Sequence, residues 1–252
     1  MRFLTAIPVY NEEQHLDEVL QAARRWSPEI LVVDDGSTDG TPRRLRTFPE
    51  VQVLTHSINQ GYGAALRDAF QFVIERGYEV LVTMDCDGQH EPSRISELVA
   101  AASDADIVSG SRYLNAFDSD STPPEDRRRI NEEITREVNR RFGLKLTDAF
   151  CGFKAYRTEA LRQLKITEPG YGMPLQLWVQ AARLGLRIRE LPVPLIYLEE
   201  KRAFGGSLDD ATRRLAYYRE VMERASRQTV REPNDGSAIP STGASRARGR
   251  TS

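Results

Sequence analysis

Three side chains near the middle of the chain have the types and spacing of a cation site. In Met84-Asp85-Cys86-Asp87-Gly88-Gln89-His90 two carboxylates stand two residues apart, at the end of an apolar run, Tyr78 to Thr83, that reads as a buried strand. In an extended chain Asp85 and Asp87 share a face, and a turn at Gly88 brings Gln89 back toward them. Two carboxylates and a carbonyl are hard oxygen ligands. They suit Mg²⁺ or Mn²⁺, ions that keep positions open for water and for a substrate's phosphates. An isolated Asp-x-Asp also describes a polar turn closing a strand, so the surrounding elements must decide. A second acidic strand end lies upstream, where Asp34-Asp35-Gly36-Ser37-Thr38-Asp39-Gly40-Thr41 follows the apolar run Glu29 to Val33. Adjacent acids repel one another without a partner. Ser37 and Thr38 read as caps of the helix that Thr41 and Pro42 begin.

The elements that must carry these residues alternate. Phe3 to Val9 reads as a strand, followed by a helix with Leu16, Val19, Leu20 and Ala23 on one face and Asn11 as its cap. Val51 to Leu54 is a third strand. Asn59-Gln60-Gly61-Tyr62-Gly63 then opens a helix that closes at Gly77, ahead of the strand that ends in Asp85. Short connections between strands and helices imply an α/β fold, a single mostly parallel central sheet with helices on both faces. Ligands of such sheets bind beyond the carboxyl ends of the strands, where Tyr10, Asp34, Asp35 and Asp85 all fall.

The second half reads as helix Ser93 to Ala102, strand Asp106 to Ser109, the turn Gly110-Ser111-Arg112-Tyr113 and a polar loop over 114 to 125. A basic helix, Glu125 to Phe142, carries Arg127, Arg128, Arg129, Arg136, Arg140 and Arg141; it is a solvated face or a holder of an anionic group. Thr147 to Tyr156, a helix through Leu175 and Trp178, a strand Arg187 to Tyr197 and a last helix with Leu208, Ala211, Leu215, Tyr218 and Met222 on one stripe complete the domain. Residues 1–226 are expected to form that one domain. Residues 227–252, rich in Ser, Gly, Pro, Thr and Arg, are expected to be a disordered C-terminal tail.

Composition narrows the partners. The 252 residues carry a formal charge of −2, which supplies no general field for nucleic acid. The two cysteines, Cys86 and Cys151, lack metal-site or disulfide-framework spacing, and a cytoplasmic setting follows. No apolar run approaches the roughly 20 residues that span a bilayer, so membrane contact is expected only at the surface. A dinucleotide fingerprint is excluded because Leu66 occupies the third glycine position after Gly61 and Gly63. A phosphate-cradling Gly-x-x-x-x-Gly-Lys-Ser/Thr loop does not occur.

The segments IPVYNEE, VVDDGSTDGT, NQGYGAA, MDCDGQH, GSRY and DAFCGFKAY, in this order across roughly residues 3 to 223, resemble the family 2 inverting glycosyltransferases of GT-A fold. Within them the dolichyl-phosphate mannose synthase branch is most similar. The resemblance implies metal-dependent transfer of a sugar from a GDP- or UDP-linked donor to a polyprenyl phosphate. Transfer to a hydroxyl, with Asp148 as general base, is the alternative, and a non-catalytic nucleotide-sugar binding protein is a reading of another class. By the same resemblance Pro8, Tyr10, Glu12 and Asp34 would line the nucleotide pocket with Asp35 beside them. Asp85, Asp87 and Gln89 would hold Mn²⁺ or Mg²⁺ on the diphosphate. Arg112 would reach phosphates of donor or acceptor, and Arg202 and Ser207 would close onto the donor. The chain departs from the branch at Asn131, where a basic residue is common, at Thr135, commonly Ser, and at Leu208, commonly Lys. The arginines at 127 to 129 lie one turn before Asn131 and could take its place.

Overall fold

The computed structural model describes residues 1–198 and 206–228, with only the backbone of Gly206 and Ser207. Arg202, residues 229–252 and the side chain of Ser207 therefore lie outside the described residues.

Two apolar runs set the centre of the sheet. β1 (Phe3–Val9) and β2 (Ile30–Asp34) pair in parallel, and every residue of β2 is buried, as a strand covered on both faces requires. Its side chains alternate between two cores: Leu31 and Val33 face one, Ile30 and Val32 the other. α1 (Leu16–Ala23), α2 (Thr41–Leu45) and α4 (Ile95–Ala101) cover the second face. The first face packs against α3 (Tyr62–Arg76), α5 (Glu125–Phe142), α7 (Met173–Arg183) and α8 (Ala211–Arg227). A short α6 (Thr158–Leu161) completes the helices.

With β3 (Gln52–Thr55), β4 (Val80–Thr83), β5 (Ile107–Ser111), β6 (Lys154–Arg157) and β7 (Ile188–Pro192), the sheet has seven strands in the order β3-β2-β1-β4-β6-β5-β7. All neighbours are parallel except β6, which runs antiparallel to both β4 and β5. The mostly parallel sheet with helices on both faces is as expected, and β6 is an addition to it.

Three local expectations are corrected. Asn11 does not cap α1. It sits at φ +56, and its Oδ1 accepts the amides of Thr38 and Asp39, while α1 begins only at Leu16. Ser37 and Thr38 do not cap α2 either; Asp39 Oδ1 accepts the Thr41 amide at 2.9 Å. The last strand stops at Pro192, because Pro192 and Pro194 bring no N–H to a ladder.

Candidate active site

The strand order reverses at β1, with β2 on one side and β4 on the other, and a crevice opens between the carboxyl ends of β1 and β4. It holds a cleft of about 980 Å³. Pro8, Tyr10 and Glu12 line it from β1 and the following loop, Asp35 from the end of β2, Asp85, Asp87 and Gln89 from the end of β4, and Arg112 from the end of β5. Asp34 and Asp148 are buried beneath the cleft and do not line it. A second cavity, of about 240 Å³ beside Glu168 and Arg224, lies between α8 and the loop before α7.

The two adjacent acids have separate partners. Asp34 Oδ1 accepts the Ser37 amide at 2.9 Å. Asp35 accepts the amides of Gln60 and Gly61, each at 2.8 Å, and lies 2.7 Å from His56 Nδ1. The other nitrogen of His56 lies 2.9 Å from Asp68, so the ring bridges two carboxylates. Asp35 thereby fixes the loop that enters α3. Gly61 in that loop has φ +103, and a Cβ there would stand 2.4 Å from the Pro169 carbonyl oxygen.

Asp85 is held differently. The Tyr62 hydroxyl donates to Asp85 Oδ1 at 3.0 Å, and Oδ2 abuts Gly152, where a Cβ would come within 2.3 Å. The Asp85 amide lies 3.1 Å from His90 Nδ1, the other ring nitrogen stands 3.9 Å from Asp85 Oδ2, and the ring stacks on Phe153. Burial raises the Asp85 pKa above its ordinary value, His90 opposes that shift and the charge of Asp87 adds to it. Beyond Gly88, at φ +71, the Gln89 amide turns back to donate to Asp87 Oδ1 at 3.0 Å. Among the described residues no three His, Cys, Asp or Glu side chains form a cation cage by themselves. Two carboxylates and the Gln89 carbonyl match instead an ion completed by water and a ligand's phosphates. The close approach of Gly152 to Asp85 keeps that carboxylate against the cleft wall, and the donor set fits such an ion.

At the opposite end a carboxylate already has its cation. Arg112 Nε and Nη2 donate to Asp148 Oδ2 and Oδ1 at 2.6 and 2.9 Å. Asn131 Nδ2 and the Phe150 amide add bonds to Oδ1, at 2.9 and 3.1 Å. Burial alone would raise the Asp148 pKa, but the Arg112 guanidinium and Asn131 hold it well below the usual carboxylate range. Asn131 Oδ1 accepts from Thr135, whose hydroxyl oxygen accepts the Ala149 amide. Glu190 from β7 accepts the amides of Thr147 and Asp148 and fixes the turn that presents them. The expectation of Asp148 as a general base does not match this geometry, since its oxygens are engaged and its basicity is suppressed. Arg127 projects into the same end of the cleft over Tyr197, 5.7 Å from the ring centroid, near Tyr113, Phe150 and Tyr218.

Sequence reasoning missed His56, Tyr62, His90 and Tyr171. The chain has only three histidines, and two of them sit in loops just beyond strands. That scarcity was the available signal. Tyr62 lies within the glycine-rich segment Asn59 to Gly63, which carries no local sign of its reach to Asp85. Lys154, buried beneath the site, donates to the Cys151 carbonyl and lies against Trp178; burial lowers its pKa.

Comparison with known proteins agrees with this architecture. The glycosyl transferase family 2 model matches residues 5–165. An undecaprenyl-phosphate mannosyltransferase of Micrococcus luteus is 38% identical over 222 residues, covering 84% of this chain and 91% of that protein. A polyprenol monophosphomannose synthase of Mycolicibacterium smegmatis is 34% identical, covering 76% of each. Among solved structures, glucosyl-3-phosphoglycerate synthase from Mycobacterium tuberculosis, in complex with Mn²⁺, UDP and glucosyl-3-phosphoglycerate, superposes with a TM-score of 0.69. At 19% identity it covers 94% of this chain and 83% of that one, and it shows the shared GT-A fold. Family model, relatives and fold coincide: the chain is a glycosyltransferase and belongs to glycosyl transferase family 2.

Proposed function

We propose that the protein transfers a hexose, with inversion, from a GDP- or UDP-linked donor to the phosphate of a polyprenyl phosphate at the cytoplasmic membrane surface. The observation that carries this is a single cleft with an acidic end, at Asp35, Asp85 and Asp87, and an end where Arg112 and Arg127 meet aromatic side chains. The first suits a nucleoside diphosphate with a cation. The second suits an anionic group on an apolar chain. Relatives named for undecaprenyl phosphate and polyprenol support the acceptor, and solved proteins of this fold with Mn²⁺ or Mg²⁺ beside UDP support the cation. Among the described residues no helix is long and apolar enough to cross a membrane.

Pro8, Tyr10, Glu12 and Asp35 form the nucleoside end, with Asp34 folding the turn beneath it. Asp85, Asp87 and Gln89 would hold a divalent cation, which would supply positive charge for the leaving diphosphate. Arg112 directs positive charge at the phosphates, and Asp148 keeps its guanidinium in one orientation. A lipid phosphate oxygen is already anionic near neutral pH, so it attacks the anomeric carbon without a general base. Displacement from the face opposite the diphosphate inverts the configuration. The hydroxyl-acceptor alternative would need a base, and Asp148 is not placed to be one.

The test supplies purified protein and Mn²⁺ with GDP-mannose or UDP-glucose, and either a polyprenyl phosphate or the matching polyprenol. Sugar should appear on the lipid phosphate alone, and EDTA should stop it. Equal transfer to the polyprenol, or no transfer from either donor, overturns the proposal.

A further inference from the structure

Tyr62 is the first residue of α3, and its hydroxyl reaches Asp85 Oδ1 at 3.0 Å from a different strand unit. Independent contacts hold it there. Asp35 takes the two amides just before it, and the Ala64 amide just after it donates to the Pro169 carbonyl at 3.1 Å. The ring stacks on Tyr171, centroids 5.8 Å apart and planes at 18°. Tyr171 belongs to a strap tied to α8, because the Gly172 amide donates to the Tyr217 hydroxyl at 3.1 Å. With Oδ1 bonded to Tyr62 and Oδ2 against Gly152, the Asp85 carboxylate has a single orientation.

We infer that Tyr62 is a positioning residue whose hydroxyl sets the orientation of Asp85, so that the cleft's affinity for a divalent cation depends on it. This rests on the proposal above that Asp85 and Asp87 hold the cation. Hydrogen bonds to a ligating carboxylate govern how well it binds, and their loss typically costs about 10- to 100-fold in metal affinity. Tyr62→Phe removes one oxygen and keeps the ring that stacks on Tyr171.

The experiment measures Mn²⁺ binding to the full chain by the electron paramagnetic resonance signal of free Mn²⁺, with saturating GDP or UDP. It compares the native protein with Tyr62→Phe and Asp87→Ala, each first shown to unfold cooperatively in metal-free buffer. Tyr62→Phe should bind Mn²⁺ about tenfold more weakly or worse. Its turnover should recover toward the native kcat at high Mn²⁺, a recovery that a merely structural role would not produce. Affinity within about twofold of native for Tyr62→Phe, while Asp87→Ala loses Mn²⁺, overturns the role of Tyr62 and leaves the cation reading standing. No Mn²⁺ uptake by the native protein with either nucleotide overturns the cation reading and this inference with it.

Discussion

Asp85 and Asp148 stand at opposite ends of one cleft and show two fates of a carboxylate removed from water. Asp148 is sealed from solvent and bonded to Arg112, Asn131 and a backbone amide; its pKa is depressed. Asp85 is partly open, receives one tyrosine hydroxyl, stands 3.9 Å from the nearer His90 nitrogen, and has a raised pKa. An acid with a cation of its own is structural and passes positive charge toward the cleft through that cation. An acid bonded to no guanidinium, with only the His90 ring 3.9 Å away, leaves oxygen acceptors at the cleft for an ion from outside to use. The fold thus prepares a cation-seeking end and an anion-seeking end from the same side chain.

The comparison breaks most visibly at Arg112. Arg112→Leu strands a buried carboxylate, and denaturant unfolding near neutral pH should lose about 3–5 kcal/mol. The sign with pH follows from the depressed folded pKa of Asp148. Its stabilisation is fully present above the unfolded value near ~3.9 and is lost as pH falls through the folded value. The native protein should therefore keep this contribution from pH 7 to 5 and lose it only below about pH 4. In Arg112→Leu, burial without the guanidinium raises the Asp148 pKa, so the gap between the two narrows at higher pH, as the stranded carboxyl takes up a proton. A gap that stays constant down to about pH 4 would mean that Asp148 is not desolvated once Arg112 is gone. At the other end, Asp85→Asn should lower turnover by about 10²- to 10³-fold, the scale of losing one transition-state electrostatic contact. Its unfolding midpoint in metal-free buffer should not fall, because the raised pKa marks a charge that folding disfavours. A loss of stability matching that of Arg112→Leu would erase the distinction between the two acids.

The parts of this arrangement that were legible in the sequence are those written locally. β2 and β4 are mostly apolar runs that reach acids at or just past their carboxyl ends, so strand, burial and acidic terminus could be read together. β6 could not be read that way. It begins with Lys154 and ends with Arg157, and it is a strand because Trp178 covers the lysine and β4 and β5 flank it. Asn11 resembled a helix cap, but its acceptor serves amides 27 and 28 residues away. Asp148 resembled a base for the same reason: the arginine that quenches it is 36 residues distant in sequence. Side-chain chemistry was legible, and the pairing that decides what it does was not.

Two smaller effects test whether burial, rather than charge alone, separates the ends. The Tyr217 hydroxyl donates to Glu168 Oε1 at 2.6 Å and accepts the Gly172 amide, and Glu168 is buried and also bonded by Arg224. Tyr217→Phe leaves a buried acceptor short of a donor and an amide without a partner, and should cost about 1–3 kcal/mol in denaturant unfolding. Arg219 joins α8 to α5 through Glu133 and Glu137 at 2.6 and 3.0 Å, with as many carboxylate contacts as Arg112 makes but a side chain 45% exposed. Water already solvates that guanidinium when its partners are absent, and fixing three long side chains costs entropy. Arg219→Ala should therefore change stability by only about 0.2–1 kcal/mol, less at high salt. If it costs as much as Arg112→Leu, the difference between the sealed pair and the open network is not desolvation, and the contrast between the two ends of the cleft needs another cause.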